Sequence, residues 1–217
     1  MIDESAFASR KRAFLDRMRR EAEQGRVDPD IYPFLERMNE LPWLYTTSSC
    51  SGRILLASAR TPSYSKGRGF TPIAKWHRAV APDEILKAAE GHDDVWMLVR
   101  GAILHVVVSS AGRARELIEL AHETGHKHSG IISVNRAGIV VEILGEERLD
   151  IPLKIGGVYK IDVETAADYA NRVLLLAKAR LAWFIGEFEA RYLGNKAPDA
   201  KAVREKLREL AKCLWEI

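Results

Sequence analysis

The chain contains only two cysteines, Cys50 and Cys213, in 217 residues, and neither belongs to a CxxC pair. Two such cysteines are too few for a disulfide framework and offer no structural zinc or redox motif. No uncharged apolar run approaches the ~20 residues of a membrane span, and residues 1–20 lack the apolar core of a signal peptide. We therefore expect a cytoplasmic protein with no membrane association and no structural metal.

Acidic residues are missing from a long central window of the sequence. With 33 Lys and Arg against 30 Asp and Glu the net charge is only +3, yet no acidic residue occurs from Leu41 to Pro82. That window holds basic and aromatic side chains, namely Arg53, Arg60, Lys66, Arg68, Lys75, Arg78, Tyr45, Tyr64, Phe70 and Trp76. Cations beside aromatic rings suit phosphates and stacked bases. A second basic cluster, from Arg10 to Arg20 on the first predicted helix, fits either nucleic-acid binding or a solvated helix face.

Apolar periodicity predicts helices at both ends of the chain and strands between them. Helices are expected at 5–24 and at 28–38, with Asp28 as the N-cap of the second and Pro29 at its first position. Strands are expected at 44–47, 53–57 and 72–77, with a Gly/Ser/Pro-rich loop at 60–69 as a candidate flap. From Asp162 onward the pattern is helical again.

Two stretches of the middle region match in order and in turn chemistry. A helix at 82–89 precedes a hairpin of 95–99 and 102–108, and a helix at 111–123 precedes a hairpin of 129–134 and 139–143. We predict an α+β fold: a single sheet built from a duplicated β-α-β-β unit with helices packed on one side, plus N- and C-terminal helices. Independent origin of two similar hairpins is the alternative. The expected organisation is one domain, 1–217, with helices in 1–40, a core in 41–155 and helices in 160–217.

The stretch from Thr46 to Arg53, TTSSCSGR, is the most unusual in the chain. Small hydroxyl residues ending in Gly-Arg offer hydroxyl donors, approachable backbone N–H groups and one cation, a combination that fits an anion or carboxylate. A polar turn with Gly52 at positive φ explains the same residues without a ligand. For Cys50 a packing role is the simpler interpretation, because nothing in the sequence indicates a reactive thiol.

This stretch, together with Asp28, Asn39 and Tyr45, resembles the family of the third protein of tRNA wybutosine synthesis. The resemblance runs from about Val27 to Phe188, and its later blocks are Lys75-Trp76-His77, Ile103 to Val106, Ala121 to Ile131 with Gly125 and Ser129-Gly130, and the helix holding Asn171. The chain departs from the pattern at Arg100-Gly101, where acidic and proline residues are expected.

The resemblance implies a methyltransferase that uses S-adenosylmethionine to methylate a ring nitrogen of the tricyclic wyosine-type guanine at position 37 of tRNA-Phe. His77 is the predicted catalytic base, since an imidazole titrates near neutral pH. The predicted binding residues for substrate or cofactor are Ser49, Cys50, Ser51, Gly52, Arg53, Lys75, Trp76, His105, Ser129 and Gly130. Arg53 and Lys75 would hold a phosphate or the methionine carboxylate, and Ser49 and Ser51 would orient it. Trp76 either stacks on a base or packs in the core.

Two other functions compete with this interpretation. His122-Glu123-Thr124-Gly125-His126 matches HExxH, the zinc-peptidase motif, but Gly125 is expected to end the helix and to turn His126 away from the required face.

A non-catalytic RNA-binding protein would use the same basic and aromatic window. The chain has neither a complete GxGxxG nor a GxxxxGK[ST] motif, which argues against a doubly wound cofactor site and against nucleotide hydrolysis.

Overall fold

A computed structural model describes residues 2–61 and 69–213 of the chain. These residues divide into two compact units. Unit 1 comprises the described parts of Met1–Ser51, Ala102–Glu146 and Arg180–Val203. Unit 2 comprises the described parts of Gly52–Gly101, Glu147–Ala179 and Arg204–Ile217. None of the helices in the described ranges combines the length and the apolar character that crossing a bilayer requires.

The described residues form helices and strands in an order that follows the predicted alternation closely. In chain order they are α1 (Glu4–Glu23), α2 (Tyr32–Glu40), β1 (Leu44–Cys50), β2 (Arg53–Ala59), β3 (Phe70–Trp76), α3 (Pro82–Ala88), β4 (Val95–Arg100), β5 (Ile103–Val108), α4 (Ala111–Glu123), β6 (Gly130–Asn135), β7 (Gly138–Leu144), β8 (Arg148–Ile155), β9 (Val158–Tyr159), α5 (Val163–Tyr192) and α6 (Ala200–Cys213). The α+β class is confirmed.

Unit 1 is built on sheet A, an antiparallel sheet with the strand order β1-β5-β7-β6. Alternation along β5 sends Leu104 and Val106 to one face, where they pack with residues of α2, α4 and the last part of α5. The next residue, Val107, faces the other way and packs with Tyr45 and with Phe7 of α1. Both faces of sheet A are thus apolar around the middle of β5, and this packing fixes where the rest of β5 lies.

Unit 2 is built on sheet B, with the strand order β3-β2-β4-β8-β9. One face carries Ile54 and Leu56 of β2 and Met97 of β4, which pack with α3 and with the first turns of α5. Asn171 of α5 ties the chain after β3 to this core. Its side-chain amide donates to the Val80 carbonyl at 2.9 Å, and its side-chain oxygen accepts from the Val80 N–H at 2.8 Å.

The prediction of a single sheet is wrong, because the strands form two sheets. Strands β4 and β5 follow each other through Gly101-Ala102 like a hairpin, but β4 pairs with β2 and β8, whereas β5 pairs with β1 and β7. Local alternation identifies a strand without identifying its partner. The second predicted hairpin does form, between β6 and β7.

One smaller expectation was wrong, one strand was missed, and one expectation falls mostly outside the described residues. Helix α2 starts at Tyr32, with Ile31 as N-cap, so Asp28 does not cap it. Strand β8 was not predicted, although Leu149, Ile151 and Leu153 alternate along it. Its Pro152 argues against a central strand. Pro152 is tolerated because β9, the neighbour on one side, pairs only with Lys154 and Ile155. Most of the predicted flap, residues 62–68, lies outside the described residues.

Candidate functional site

The hydroxyl-rich run ends β1 and is held in place by Asp28. Asp28 and Ser51 are both buried. The Ser51 N–H donates to Asp28 Oδ2 at 3.0 Å, and the Ser51 hydroxyl donates to the same oxygen. The second carboxylate oxygen accepts the N–H of Asp30 at 3.3 Å. A buried carboxylate therefore fixes the bend after β1.

Asn39 fixes the same strand from α2, in a buried set of hydrogen bonds. Its oxygen accepts the Thr46 N–H at 2.9 Å, and its amide donates to the Thr46 hydroxyl at 2.8 Å and to the Leu35 carbonyl at 2.7 Å. An edge strand normally leaves such backbone groups to water. Here the side chain of Asn39 replaces a neighbouring strand at Thr46.

Strand β1 contains one extra residue, at the position opposite His105. Thr46 pairs with Val106 and Ser49 pairs with Leu104, so Thr47 and Ser48 together face the single residue His105 of β5. This is a β-bulge, a feature that often re-aims side chains beside functional sites. It brings the Ser48 hydroxyl to 2.8 Å from His105 Nδ1.

The other nitrogen of the same imidazole meets a carboxylate. His105 lies directly opposite Glu142 of β7, and its Nε2 is 2.8 Å from Glu142 Oε2. An ionised carboxylate only accepts, so in the neutral imidazole Nε2 carries the proton and Nδ1 accepts the Ser48 hydroxyl proton. Both side chains are about one quarter exposed, at 27% for His105 and 26% for Glu142. Gly130 faces Glu142 from β6.

A cavity of about 220 Å³ lies beside this end of β1, within unit 1. Its polar lining includes Thr47, Ser48 and Ser49 with Arg17, Glu21 and Arg26, and its apolar lining is Phe14, Met18, Val27 and Leu35. The Ser49 hydroxyl is buried and makes no hydrogen bond with any other residue that the structure describes. Hydroxyl groups, two guanidinium groups and one carboxylate therefore line a single concave surface.

The predicted residues Ser129 and Gly130 have different positions. Ser129 is buried and structural: its hydroxyl accepts the Leu144 N–H at 3.1 Å, and its carbonyl accepts from His122 Nε2 at 3.1 Å. Gly130 belongs to the row that contains His105 and Glu142. The structure thus places His105 and Gly130 on either side of Glu142 and gives Ser129 a role in closing the turn before β6.

The HExxH match is not a metal site. Helix α4 ends at Glu123 with Thr124 as C-cap, and Gly125 follows at φ 88°, so the helix stops as expected. His126 is buried, its Nδ1 is 3.3 Å from the Thr124 hydroxyl, and burial together with the charge of Arg180 lowers its pKa to about 4. His126 lies beyond the end of α4, so it does not share a helix face with His122.

In unit 2 the backbone of Gly52 orients His77. The His77 Nδ1 lies 3.1 Å from the Gly52 carbonyl, which only accepts, so Nδ1 carries a proton and the neutral ring has its lone pair on Nε2. Gly52 itself has φ 100°, and a Cβ placed on it would lie 3.2 Å from the Arg100 carbonyl. The glycine is therefore required both by its φ angle and by the close approach of β4.

The basic residues predicted for the site lie on β2 and β3 of the same unit. Leu55 pairs with Lys75, so Arg53, two residues before Leu55, and Lys75 share one face of sheet B. Lys75 is exposed and Arg53 is half-buried. Trp76 packs partly against the core of unit 2, consistent with its interpretation as a packing residue.

Arg78, in contrast, forms an ion pair with a neighbouring glutamate. Its guanidinium lies 2.7 Å from Glu84 Oε1 and holds the pKa of that carboxyl down to about 2. Of the predicted basic window, residues 62–68, with Tyr64, Lys66 and Arg68, lie outside the described residues.

Sequence reasoning missed two contributors to this site and misassigned a third. Ser48 was not singled out because it looks like its neighbours, and only the bulge gives it a contact with His105. Glu142 was not assigned to the site, although its strand was predicted correctly. Asp28 was interpreted as a helix cap, and its true partner, Ser51, lies 23 residues along the chain.

Comparison with known proteins assigns the class of this chain. Residues 9–193 match the family described as Methyltransferase TYW3. The chain belongs to this methyltransferase family, and the resemblance inferred from the hydroxyl-rich motif is confirmed.

Individual relatives agree. The tRNA(Phe) 7-((3-amino-3-carboxypropyl)-4-demethylwyosine(37)-N(4))-methyltransferase 1 of Thermococcus kodakarensis is 36% identical over 185 residues, which are 84% of this chain and 90% of that protein. The tRNA(Phe) methyltransferase with the same substrate name from Thermococcus sibiricus is 39% identical over 156 residues, 71% of this chain and 78% of that protein. The solved structure of the PH1069 protein from Pyrococcus horikoshii matches with a TM-score of 0.76 and 32% identity, over 84% of this chain and 95% of that one.

Proposed function

We propose that this protein transfers a methyl group to a ring nitrogen of the tricyclic wyosine-type guanine at position 37 of tRNA-Phe. The observation that carries the proposal is the family match across residues 9–193, since the curated relatives named above act on that base. A methyl donor is inherent in the class. The donor we propose is S-adenosylmethionine, whose sulfonium supplies an already activated methyl group.

The cavity beside β1 supports this donor by its chemistry. The amino-acid part of the donor needs a cation and a hydroxyl for its carboxylate, which Arg26 and Ser49 would provide. It needs an acid for its ammonium group, which Glu21, bonded to Arg17 Nε at 2.8 Å, would provide. The buried, unsatisfied Ser49 hydroxyl is the kind of group that a bound polar ligand would satisfy. Ser49 and Ser51 remain predicted to orient the bound phosphate or carboxylate. Cys50, between them, remains predicted to contact the substrate or the cofactor.

In unit 2 we propose that Arg53 and Lys75 bind an anion, either a tRNA phosphate or a carboxylate. Their common face on β2 and β3 and the exposure of Lys75 support this role. The prediction that His77 receives the proton of the ring nitrogen stays a prediction. Cytoplasmic location and the single-domain organisation of 1–217 also stay predictions.

The test is incubation of the purified protein with methyl-labelled S-adenosylmethionine and tRNA from a strain blocked just before this step. We expect label in the tRNA, absent when the tRNA comes from a strain that never forms the tricyclic base. Arg53→Ala should lower incorporation at least tenfold while the far-ultraviolet circular dichroism is retained. Binding of the tRNA without any incorporation would instead favour a non-catalytic RNA-binding protein.

A further inference from the structure

Methylation of a neutral ring nitrogen releases a proton, and unit 1 contains a hydrogen-bonded chain with the order of an acid–base relay. The Ser48 hydroxyl, the His105 imidazole and the Glu142 carboxylate follow one another at 2.8 Å and 2.8 Å. Nothing in the sequence motif required this, because Ser48 reaches His105 only through the bulge in β1. We propose that this chain accepts the proton of the methylated nitrogen, an inference that rests on the proposed function.

The orientation of each group supports the direction of transfer. Glu142 holds the proton of His105 on Nε2, which leaves Nδ1 to accept the hydroxyl proton of Ser48. The Ser48 oxygen then presents its lone pairs outward, ready to accept an N–H. A serine, an imidazole and a carboxylate in this order form the arrangement that activates hydroxyl groups elsewhere.

The positions of the three residues also support the proposed relay. Ser48 is exposed, and it lines the 220 Å³ cavity that we propose for the methyl donor. His105 and Glu142 lie behind it in the sheet, each only about a quarter exposed. Because both ring nitrogens of His105 are already engaged, the substrate proton reaches the imidazole by way of Ser48. Ser48 is therefore the residue that touches the reacting nitrogen, and His105 and Glu142 act through it.

The step balances as follows. The ring nitrogen forms its bond to the methyl carbon as the bond from that carbon to sulfur breaks, and the sulfonium becomes a neutral thioether. The N–H proton passes to Ser48 Oγ while the Ser48 proton passes to His105 Nδ1. The electron pair of the N–H bond stays on the nitrogen, and the positive charge lost by the sulfonium is carried by the imidazolium, which Glu142 stabilises. This assignment competes with the prediction that His77 receives the proton, and the two are separated by experiment.

The experiment compares single-turnover methyl transfer in the whole protein with tRNA dissociation constants. Ser48→Ala and His105→Ala should each slow methyl transfer by about 10² or more while the dissociation constant for tRNA changes less than threefold. The double variant should be no slower than the slower single variant, because the two residues act as one unit. Ser48→Thr should restore most of the rate, and Ser133→Ala, an exposed serine of β6, serves as the matched control.

A structural role alone would not produce chemical rescue. Added imidazole should raise the rate of His105→Ala at least tenfold, entering the space left by the partly exposed ring, and should leave Ser48→Ala unchanged. A Ser48→Ala rate within threefold of wild type overturns the relay, as does loss of turnover in His77→Ala alone. Absence of methylation by the wild-type protein on competent tRNA contradicts the proposed function itself, so the two failures are distinguishable.

Discussion

The carboxylate of Asp28 accepts both the backbone N–H and the hydroxyl of Ser51, across 23 residues of sequence. Both residues are buried, so this contact sets the course of the chain where the hydroxyl-rich strand ends. It connects the turn before α2 to the residues that we propose for donor binding.

Replacing this carboxylate by an amide should therefore cost both stability and activity. Asp28→Asn keeps one acceptor oxygen where the carboxylate has two, so either the two donors of Ser51 or the Asp30 N–H lose their acceptor, a loss of about 1–3 kcal/mol in the free energy of unfolding. We also expect a drop in methyl transfer larger than the loss of folded protein explains. Urea unfolding and single-turnover assays measure the two effects. The control is Asp30→Asn, an exposed acid in the same turn; an equal effect of both changes would count against this role of Asp28.

Gly52 allows a second test, with a glycine of the same conformational type as control. Gly52→Ala places a Cβ 3.2 Å from the Arg100 carbonyl at φ 100°, whereas Gly91→Ala has φ 73° and meets no described atom within 4 Å. Positive φ alone costs a residue with a side chain about 1 kcal/mol, and the close approach adds to it. We expect the free energy of unfolding to fall more for Gly52→Ala than for Gly91→Ala. Equal losses would show that the contact with β4 relaxes freely.

Buried His126 predicts how stability depends on pH. Burial, with a smaller effect of Arg180, lowers its pKa from 6.5 to about 4, so the folded protein holds this ring neutral where the unfolded chain would protonate it. The resulting stability is complete above pH 6.5 and is lost as the pH falls from there towards 4. At pH 4.5 the loss amounts to about 2.5 kcal/mol.

The variant His126→Gln should remove this part of the pH dependence, although it is less stable at neutral pH. Urea unfolding of both proteins at pH 7.5 and pH 4.5 gives the comparison. The wild-type protein should lose more free energy of unfolding between the two pH values than the variant does. A parallel loss in both would assign the acid sensitivity to other groups.

The proposed anion contact of Lys75 has an electrostatic signature. If Lys75 neutralises a tRNA phosphate, Lys75→Gln should reduce the slope of log binding constant against log salt by about 1. Lys87→Gln on α3 removes another exposed lysine of unit 2 and should leave the slope unchanged. Filter binding across a salt series measures both. An unchanged slope in Lys75→Gln would remove the phosphate contact from the proposal.

Elements were predictable from the sequence, but their partners were not. The periodicity of α4 and of β7 predicted both, because a helix and a half-buried strand leave their own repeats in the order of residues. The pairing of β4 was missed, since the turn at Gly101-Ala102 looks like that of a hairpin and strand order depends on contacts distant in sequence. The role of Asp28 was not predictable for the same reason. An aspartate is suited both to cap a helix and to accept hydrogen bonds in a buried position, and the sequence does not distinguish the two.

The hydroxyl-rich motif was recognisable by its composition, whereas its geometry was not. Arg53 and His77 were both assigned to the site, and the pairing of Ile54 with Trp76 brings the strand ends that carry them together. The contact of Ser48 with His105 was not predicted, because it depends on a bulge, and a bulge arises from the register between two strands. Residue types alone do not reveal it.

That bulge makes the length of β1 as important as its composition. Thr46 and Ser49 both oppose even-numbered residues of β5, although they are three positions apart instead of two. The Thr47 hydroxyl donates to the His105 carbonyl at 3.5 Å and the Ser48 hydroxyl contacts the His105 ring, so removing one of these two residues would leave one hydroxyl for both contacts. Relatives that share this chemistry should therefore conserve the number of residues between the two ends of the strand even where the residues themselves differ.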